Sequence, residues 1–146
     1  MNENMTINFD MDGTIADLYG VENWLDYLIA GDAFPYANAK PLVNMSALAR
    51  VLNNLRRKGW KINVISWLSK SSTPEYDKAV TEAKLAWLKK HLPSVEFDKI
   101  MIVAYGTPKN TLASGILFDD EEGNRKAWGK NAYDVTDIIG VLKAVA

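Results

Sequence analysis

The chain has 146 residues, 17 basic and 18 acidic side chains, 48% apolar residues and no cysteine. That length suits one domain with a single core. The composition excludes a disordered chain, and the lack of cysteine excludes disulfides, thiolate metal sites and a cysteine nucleophile. With a net charge of −1 there is no overall basic field of the kind that drives nonspecific nucleic-acid binding.

Residues 1–10 carry neither the basic start nor the apolar stretch of a signal peptide. No window approaches the roughly 18 consecutive apolar residues of a membrane span. The expectation is a soluble, cytoplasmic monomer or small homo-oligomer. Residues 5–9 (MTINF) form a short apolar run that ends at Asp10. Residues 21–30 (VENWLDYLIA) fit one amphipathic helix, with Val21, Trp24, Leu25 and Leu28 on a face and Gly31 ending it. Phe34-Pro35-Tyr36 then reads as an extended turn. From Asn44, the apolar positions Met45, Leu48, Ala49, Leu52 and Leu55 recur at helical spacing, with Gly59 as the stop.

Residues 61–65 (KINVI) predict a strand ending at Ser66. Thr73-Pro74-Glu75 is a helix start, with a capping hydroxyl and a proline at the first helical position. Tyr76, Val80, Ala83, Trp87 and Leu88 line one face until Pro93. The lone histidine, His91, falls near that helix's end and reads as structural, a cation placed well for the helix dipole. Residues 99–105 and 116–118 predict two further strands, the second ending at Asp119-Asp120. A last helix spans residues 135–145.

Strands alternating with helices of this length argue for parallel pairing through right-handed crossovers. The expected fold is an α/β, doubly wound three-layer sandwich with a mostly parallel central sheet, forming one domain over residues 1–146. In such a sheet ligands bind at the C-terminal ends of the strands. Asp10, Ser66, Asp119 and Asp120 all fall at that edge.

The strongest motif is FDMDGT, residues 9–14. A strand running into a tight turn presents Asp10, Gly13 allows the turn, and Asp12 faces the same pocket. Paired carboxylates at one mouth bind a hard divalent cation through oxygen. They also let one act as nucleophile while the other handles protons. Asp-x-Asp-Gly also occurs in calcium loops, but an EF-hand needs a glutamate where this chain has Tyr19, and an apolar strand rather than a helix precedes the motif. Taken alone, Ser66 can simply end a strand, Lys109 can be a surface lysine, and the acidic run 119–122 can be a solvated face. Lys99 is a second candidate for the lysine, but its place at the start of a strand aims it at the wrong edge.

Together these residues resemble the haloacid dehalogenase superfamily of aspartate-nucleophile phosphohydrolases. The four family motifs are matched in order by Asp10 and Asp12 in FDMDGT, Ser66 in INVIS, Lys109 in TPKN, and Asp119 and Asp120 in ILFDD. Within the superfamily the chain looks most like the small 5′-nucleotidase and deoxyribonucleotidase branch. The resemblance implies a magnesium-dependent phosphomonoester hydrolase working through an aspartyl-phosphate. In it Asp10 is the nucleophile and Asp12 the acid and base, while Ser66 and Lys109 hold the phosphoryl group. Magnesium is held by Asp10, the Asp12 backbone carbonyl and the motif-four acids, with Asp120 the direct ligand and Asp119 in or near the same shell. The second aspartate, Asp12, favours phosphate esters over carbon–halogen bonds, because only an ester has a leaving oxygen to protonate.

Residues 15–43 are then a short cap insert, which implies an open site or one completed by a partner chain. Packing over the sheet edge is the expected role of Trp24, Tyr27 and Phe34, and Trp60, Trp87 and Trp128 read as core or edge residues. Trp67 packs in the core or stands at the pocket mouth, where an indole stacks on a base or sugar. Ser69, Lys70, Ser71 and Ser72 form a polar loop at the same edge. The expected partner is a small phosphorylated substrate, foremost a nucleotide, with no membrane. A sugar phosphate, a phosphate at a nucleic-acid end (through a local patch at Arg50, Arg56, Arg57 and Lys58) and a noncatalytic binding module are the alternatives.

Overall fold

The computed structural model describes residues 5–70 and 72–146. Residues 1–4, which begin the stretch read above for a signal peptide, and Ser71 of the polar loop lie outside the described residues. The chain runs β1 (Thr6–Phe9), β2 (Ala16–Asp17), α1 (Trp24–Ile29), α2 (Phe34–Asn38), β3 (Lys40–Pro41) and α3 (Met45–Arg57). It continues through β4 (Lys61–Trp67), α4 (Pro74–His91), β5 (Lys99–Val103), β6 (Ile116–Phe118), α5 (Glu122–Trp128), β7 (Ala132–Tyr133) and α6 (Ile138–Val145).

Five strands form one sheet in the order β5-β4-β1-β6-β7, and every pairing in it is parallel. Parallel strands buried on both faces need apolar runs rather than alternation, and Ile62, Val64, Ile65, Ile7, Phe9, Leu117 and Phe118 meet that demand, all at 1% exposure or less. The chain winds from β1 outward through β4 to β5, then returns across β1 to β6 and β7. The direction reverses between β4 and β6, on either side of β1, and Asp10 lies at that reversal. Helices flank the sheet, with α3 packed on α6 and α4 on α2. This is the expected α/β, doubly wound class.

Local chemistry accounts for the helix ends. The Asn44 side chain accepts from the Ala47 N–H at 3.0 Å and starts α3. Gly59, at φ +99°, ends that helix in a conformation other residues resist. The Thr73 hydroxyl accepts from the Tyr76 N–H at 3.2 Å and starts α4, with Pro74 in its first turn.

Four expectations need correction. Phe34-Pro35-Tyr36 is not an extended turn but opens α2, because a proline in the first helical turn removes only an N–H that has no partner anyway. The Asp32 carboxylate accepts from the Phe34 N–H at 2.9 Å and caps this start. The strand expected to end at Ser66 runs one residue further, with Ser66 paired to Ile102 and Trp67 to Val103. The acidic pair Glu121 and Glu122 is not merely a solvated face but begins α5, where negative charge favours a helix N-terminus. His91 does close α4, its ring 4.4 Å from that of Trp87, but burial and then the charge of Lys90 move its pKa down, which weakens it as a cation for the helix dipole.

The segment between β1 and α3 forms its own small unit. Its stem is the antiparallel β2–β3 pair, Ala16 opposite Pro41 and Asp17 opposite Lys40. Among the described residues, no helix is long and apolar enough to cross a membrane.

Leu52 is fully buried on α3 against the sheet. We expect Leu52→Ala to lower unfolding stability by about 2–5 kcal/mol, as measured by urea denaturation. A loss below about 1 kcal/mol would contradict this placement of α3.

Candidate active site

Asp10 follows β1 by one residue, and its N–H donates to the Phe118 carbonyl at 2.9 Å, so β6 holds it in line with the sheet. The chain then turns. The Met11 carbonyl accepts from the N–H groups of Thr14, Ile15 and Ala16, and Met11 itself is buried at 1% exposure. The apolar residue between the two aspartates is thus the anchor, and Asp12 swings to the opposite side of the opening. Gly13 sits at φ +82°, and a Cβ there would collide with the Asp120 carboxylate.

Two buried lysines serve this turn. Lys109 comes from a single 3-10 turn in the β5–β6 connection, at 3% exposure. Its ammonium donates to Asp10 Oδ1 and to Asp119 Oδ2, each at 2.8 Å. Lys84, on α4 and fully buried, donates to Asp12 Oδ2 at 2.9 Å, Ser66 Oγ at 2.6 Å and the Trp67 carbonyl at 2.7 Å. Thr14, fully buried as well, donates from its hydroxyl to Asp10 Oδ2 at 2.9 Å and accepts from the Asp120 N–H at 3.1 Å.

On the far strand, the Asp119 carboxylate accepts from Lys109, from the Glu121 N–H at 3.0 Å and from Asn124 Nδ2 at 3.1 Å. Arg125 donates to the Asp119 carbonyl at 3.0 Å. Asp120 is the exposed member of the pair. One carboxylate oxygen each from Asp10, Asp119 and Asp120 lies within 4.8 Å of the others. Among the described residues Lys109 is the one cation paired with these carboxylates, so negative charge is in excess there. Burial first, and then the charge of Asp10, push the Asp120 carboxyl up to about 7. The donor set is oxygen alone, and it fits a hard divalent cation.

A cavity of about 400 Å³ opens over these groups. Its floor is Asp10, Asp12, Lys109, Asp119 and Asp120, and its walls include Tyr19, Trp24, Leu25, Leu28, Tyr36, Trp67 and Tyr105. The structure thus gathers Asp10, Asp12, Trp67, Lys109, Asp119 and Asp120 around one opening, while Ser66 is fully buried behind it and is tied to Asp12 through Lys84. Of its two readings Trp67 takes the pocket mouth, and Trp24 lines the cavity as well. Trp67 is held by its indole N–H, which donates to the Thr107 carbonyl at 2.8 Å, and by Tyr105, whose ring lies 5.0 Å away. Ser69 and Lys70 line the rim. Tyr27 and Phe34 stack on one another at 4.8 Å. Trp87 is core.

The sequence reading missed Lys84, Thr14 and Asn124. Lys84 had one signal: it follows Val80 by four residues and precedes Trp87 by three, so it interrupts the buried stripe of α4. Lys99 begins β5 opposite Asn63, at the edge away from the site. Arg56 is committed to Asp98 at 2.7 Å and Glu96 at 3.2 Å. Lys58 and Lys61 also lie at that far edge, where β4 begins.

Neither the protein-family models nor the curated proteins give a match to the chain. Among solved structures, the chain is similar to the D,D-heptose 1,7-bisphosphate phosphatase from Burkholderia thailandensis. The identity is 12%, the TM-score 0.59, and the match covers 96% of this chain and 97% of that one. At that identity the likeness shows a shared fold.

Two outcomes follow from the geometry. Gly13→Ala forces a left-handed conformation on a residue with a Cβ and drives Asp120 aside. We expect a stability loss of at least about 1 kcal/mol by denaturant melting. The second concerns pH without metal. At low pH Asp120 is protonated in both folded and unfolded chains. As pH rises from its ordinary 3.8 toward about 7, the unfolded chain releases that proton first. The stability this group contributes is therefore lost as pH rises through about 7. In chelator, the melting temperature should fall between pH 5 and pH 8, and Asp120→Asn should flatten the fall. An equal fall in both proteins would show that Asp120 does not cause it.

Proposed function

We propose that this chain is a magnesium-dependent phosphomonoester hydrolase acting through an aspartyl-phosphate, with a nucleoside monophosphate as its substrate. The observation that carries the reading is the pairing at the end of the central strand. Asp10 is paired with the Lys109 ammonium, and Asp12, joined to Ser66 through the Lys84 ammonium, lines the same cavity.

Asp10 attacks phosphorus, the bond to the ester oxygen breaks, and Asp12 delivers a proton to that oxygen. A water then attacks the phosphoryl group on Asp10, giving its proton to Asp12, and the phosphorus–Asp10 bond breaks to release phosphate. Lys109 offsets the repulsion between the Asp10 carboxylate and the phosphate dianion, and holds Asp10 in line. Ser66 donates a hydrogen bond to a phosphoryl oxygen. Asp10, Asp120 and the Asp12 carbonyl would hold the magnesium ion, with Asp119 beside them. A bound magnesium would neutralise charge on the transferring group. Asp119 serves that ion less directly, because Lys109, Asn124 and the Glu121 N–H already occupy its carboxylate. Residues 15–43 act as a small lid.

The cavity walls support the nucleotide. They are aromatic and aliphatic, which suits a flat base and a sugar. Besides Lys109, the cations among the lining residues come to Lys70 alone, whose ammonium lies 5.3 Å from the Tyr105 ring centre. A second phosphate on the substrate has little to hold it. The similar solved structure is named for a sugar bisphosphate, which favours a sugar phosphate as the second reading. The basic residues around Lys58 lie at the opposite edge of the sheet, which disfavours a nucleic-acid end.

Phosphate release from p-nitrophenyl phosphate should require magnesium, and Asp10→Asn should abolish it while keeping the fold by circular dichroism. Activity retained above a few per cent would remove Asp10 as nucleophile. Magnesium should raise the melting temperature by mass action on the folded state. Asp120→Ala should lose both the shift and the activity, Asp119→Ala less completely. No shift, together with full activity in chelator, would remove the metal from the mechanism. A panel of nucleoside monophosphates and sugar phosphates, compared by kcat/KM, should favour the nucleotides. Higher values for the sugar phosphates would establish the second reading.

A further inference from the structure

Lys84 has no place in the mechanism just described, yet it is fully buried beneath it. An isolated ammonium away from water costs several kcal/mol, and its neighbours on α4, Val80, Trp87 and Leu88, are apolar and buried. A lysine at such a position is held by what it touches. Its ammonium carries three protons, and three acceptors meet them: Asp12 Oδ2, Ser66 Oγ and the Trp67 carbonyl. The Tyr36 ring centre lies 5.1 Å away and covers the group.

This arrangement has two consequences for the groups above it. Ser66 Oγ accepts from Lys84, so the hydroxyl's own hydrogen points elsewhere. Among the described residues no protein acceptor receives it, and although Ser66 is fully buried, Asp12 and Trp67 beside the same ammonium line the cavity, so a phosphoryl oxygen reaching that part of the floor is the acceptor left for it. Asp12 Oδ2 is likewise occupied, which leaves Oδ1 as the oxygen able to carry a proton to the leaving group. We infer that Lys84 is a positioning residue. It fixes Asp12 with Oδ1 toward the ester oxygen and makes Ser66 a donor to the phosphoryl group. The inference rests on the phosphohydrolase reading. It adds a fifth polar group to the catalytic set, one that acts only through Asp12 and Ser66.

The test compares two esters of similar size whose leaving groups differ in basicity, p-nitrophenyl phosphate and phenyl phosphate. Nitrophenolate departs readily without a proton, whereas phenolate needs one. In Lys84→Met, kcat/KM for phenyl phosphate should fall about tenfold or more beyond its fall for p-nitrophenyl phosphate, since general-acid catalysis contributes roughly 10²–10⁴-fold. The two values come from the same preparation, so a partly unfolded sample cancels from their ratio. Lys84→Arg keeps the charge, but a planar guanidinium cannot aim three protons from one atom, and it should shift the ratio in the same direction. It also supplies the measurement if the methionine variant does not fold. Ser66→Ala should cost less in the Lys84→Met background than in the wild type, because the donor it removes is already misaligned. If the wild type hydrolyses both esters and the Lys84 variants lose activity equally on each, or lose none, the positioning role is wrong while the phosphohydrolase reading stands. If the wild type hydrolyses neither ester, both fall together.

Discussion

The site is organised by a surplus of negative charge at the end of one strand. Four aspartates face a single opening, and each member of the first pair has its own buried lysine: Lys109 for Asp10 and Lys84 for Asp12. The lysines arrive from different elements, one from the turn before β6 and one from the middle of α4. Burying two ammonium groups costs free energy that their carboxylate partners must offset. The arrangement therefore holds only while β1, β4, β6 and α4 keep their relative positions. What remains uncompensated is concentrated on Asp10, Asp119 and Asp120, the trio whose oxygens converge.

The two sides of the opening are chemically different. On the Asp10 side the contacts are charge-rich: Lys109 bridges Asp10 and Asp119, and Thr14 links Asp10 to the backbone of Asp120. On the Asp12 side a single ammonium meets a carboxylate, a hydroxyl and a carbonyl, with Tyr36 above it. A carboxylate held near a second carboxylate and a shared cation is suited to accept a cation or attack phosphorus. One with a free oxygen beside an apolar wall is suited to carry a proton. The two aspartates, two residues apart in sequence, differ because Met11 fills the core between them and turns their side chains apart.

Much of this was legible in the sequence, for a simple reason. Residues at the C-terminal ends of parallel strands must share one edge, so Asp10, Ser66, Asp119 and Asp120 could be placed together from strand order alone. Lys109 came from the family resemblance, since taken alone it can be a surface lysine. The legible part stopped where tertiary contacts overrode local pattern. Lys84 reads as an ordinary solvated lysine in an amphipathic helix, and its stripe position matters only once β4 and α4 are packed. α5 contains Gly123 and Asn124, poor helix formers, and starts in an acidic run that by itself can be a solvated face. β7 is two residues long and exists because β6 offers it an unpaired edge. For Trp67 the sequence left two readings, core or pocket mouth; the sheet ends beneath it, and its ring lines the cavity.

The β2–β3 stem brings the entry and exit of residues 18–39 side by side, at Ala16 opposite Pro41 and Asp17 opposite Lys40. Within that segment α2 is fastened to α4, and Tyr36 covers Lys84, whereas α1 between the stem and α2 lines the cavity. Lengthening the part around α1 leaves the span from β1 to α3 unchanged, and the entropy of closing a longer loop grows only with the logarithm of its length. That outer part can therefore diverge in size and shape while α2 and the carboxylates beneath it keep their geometry.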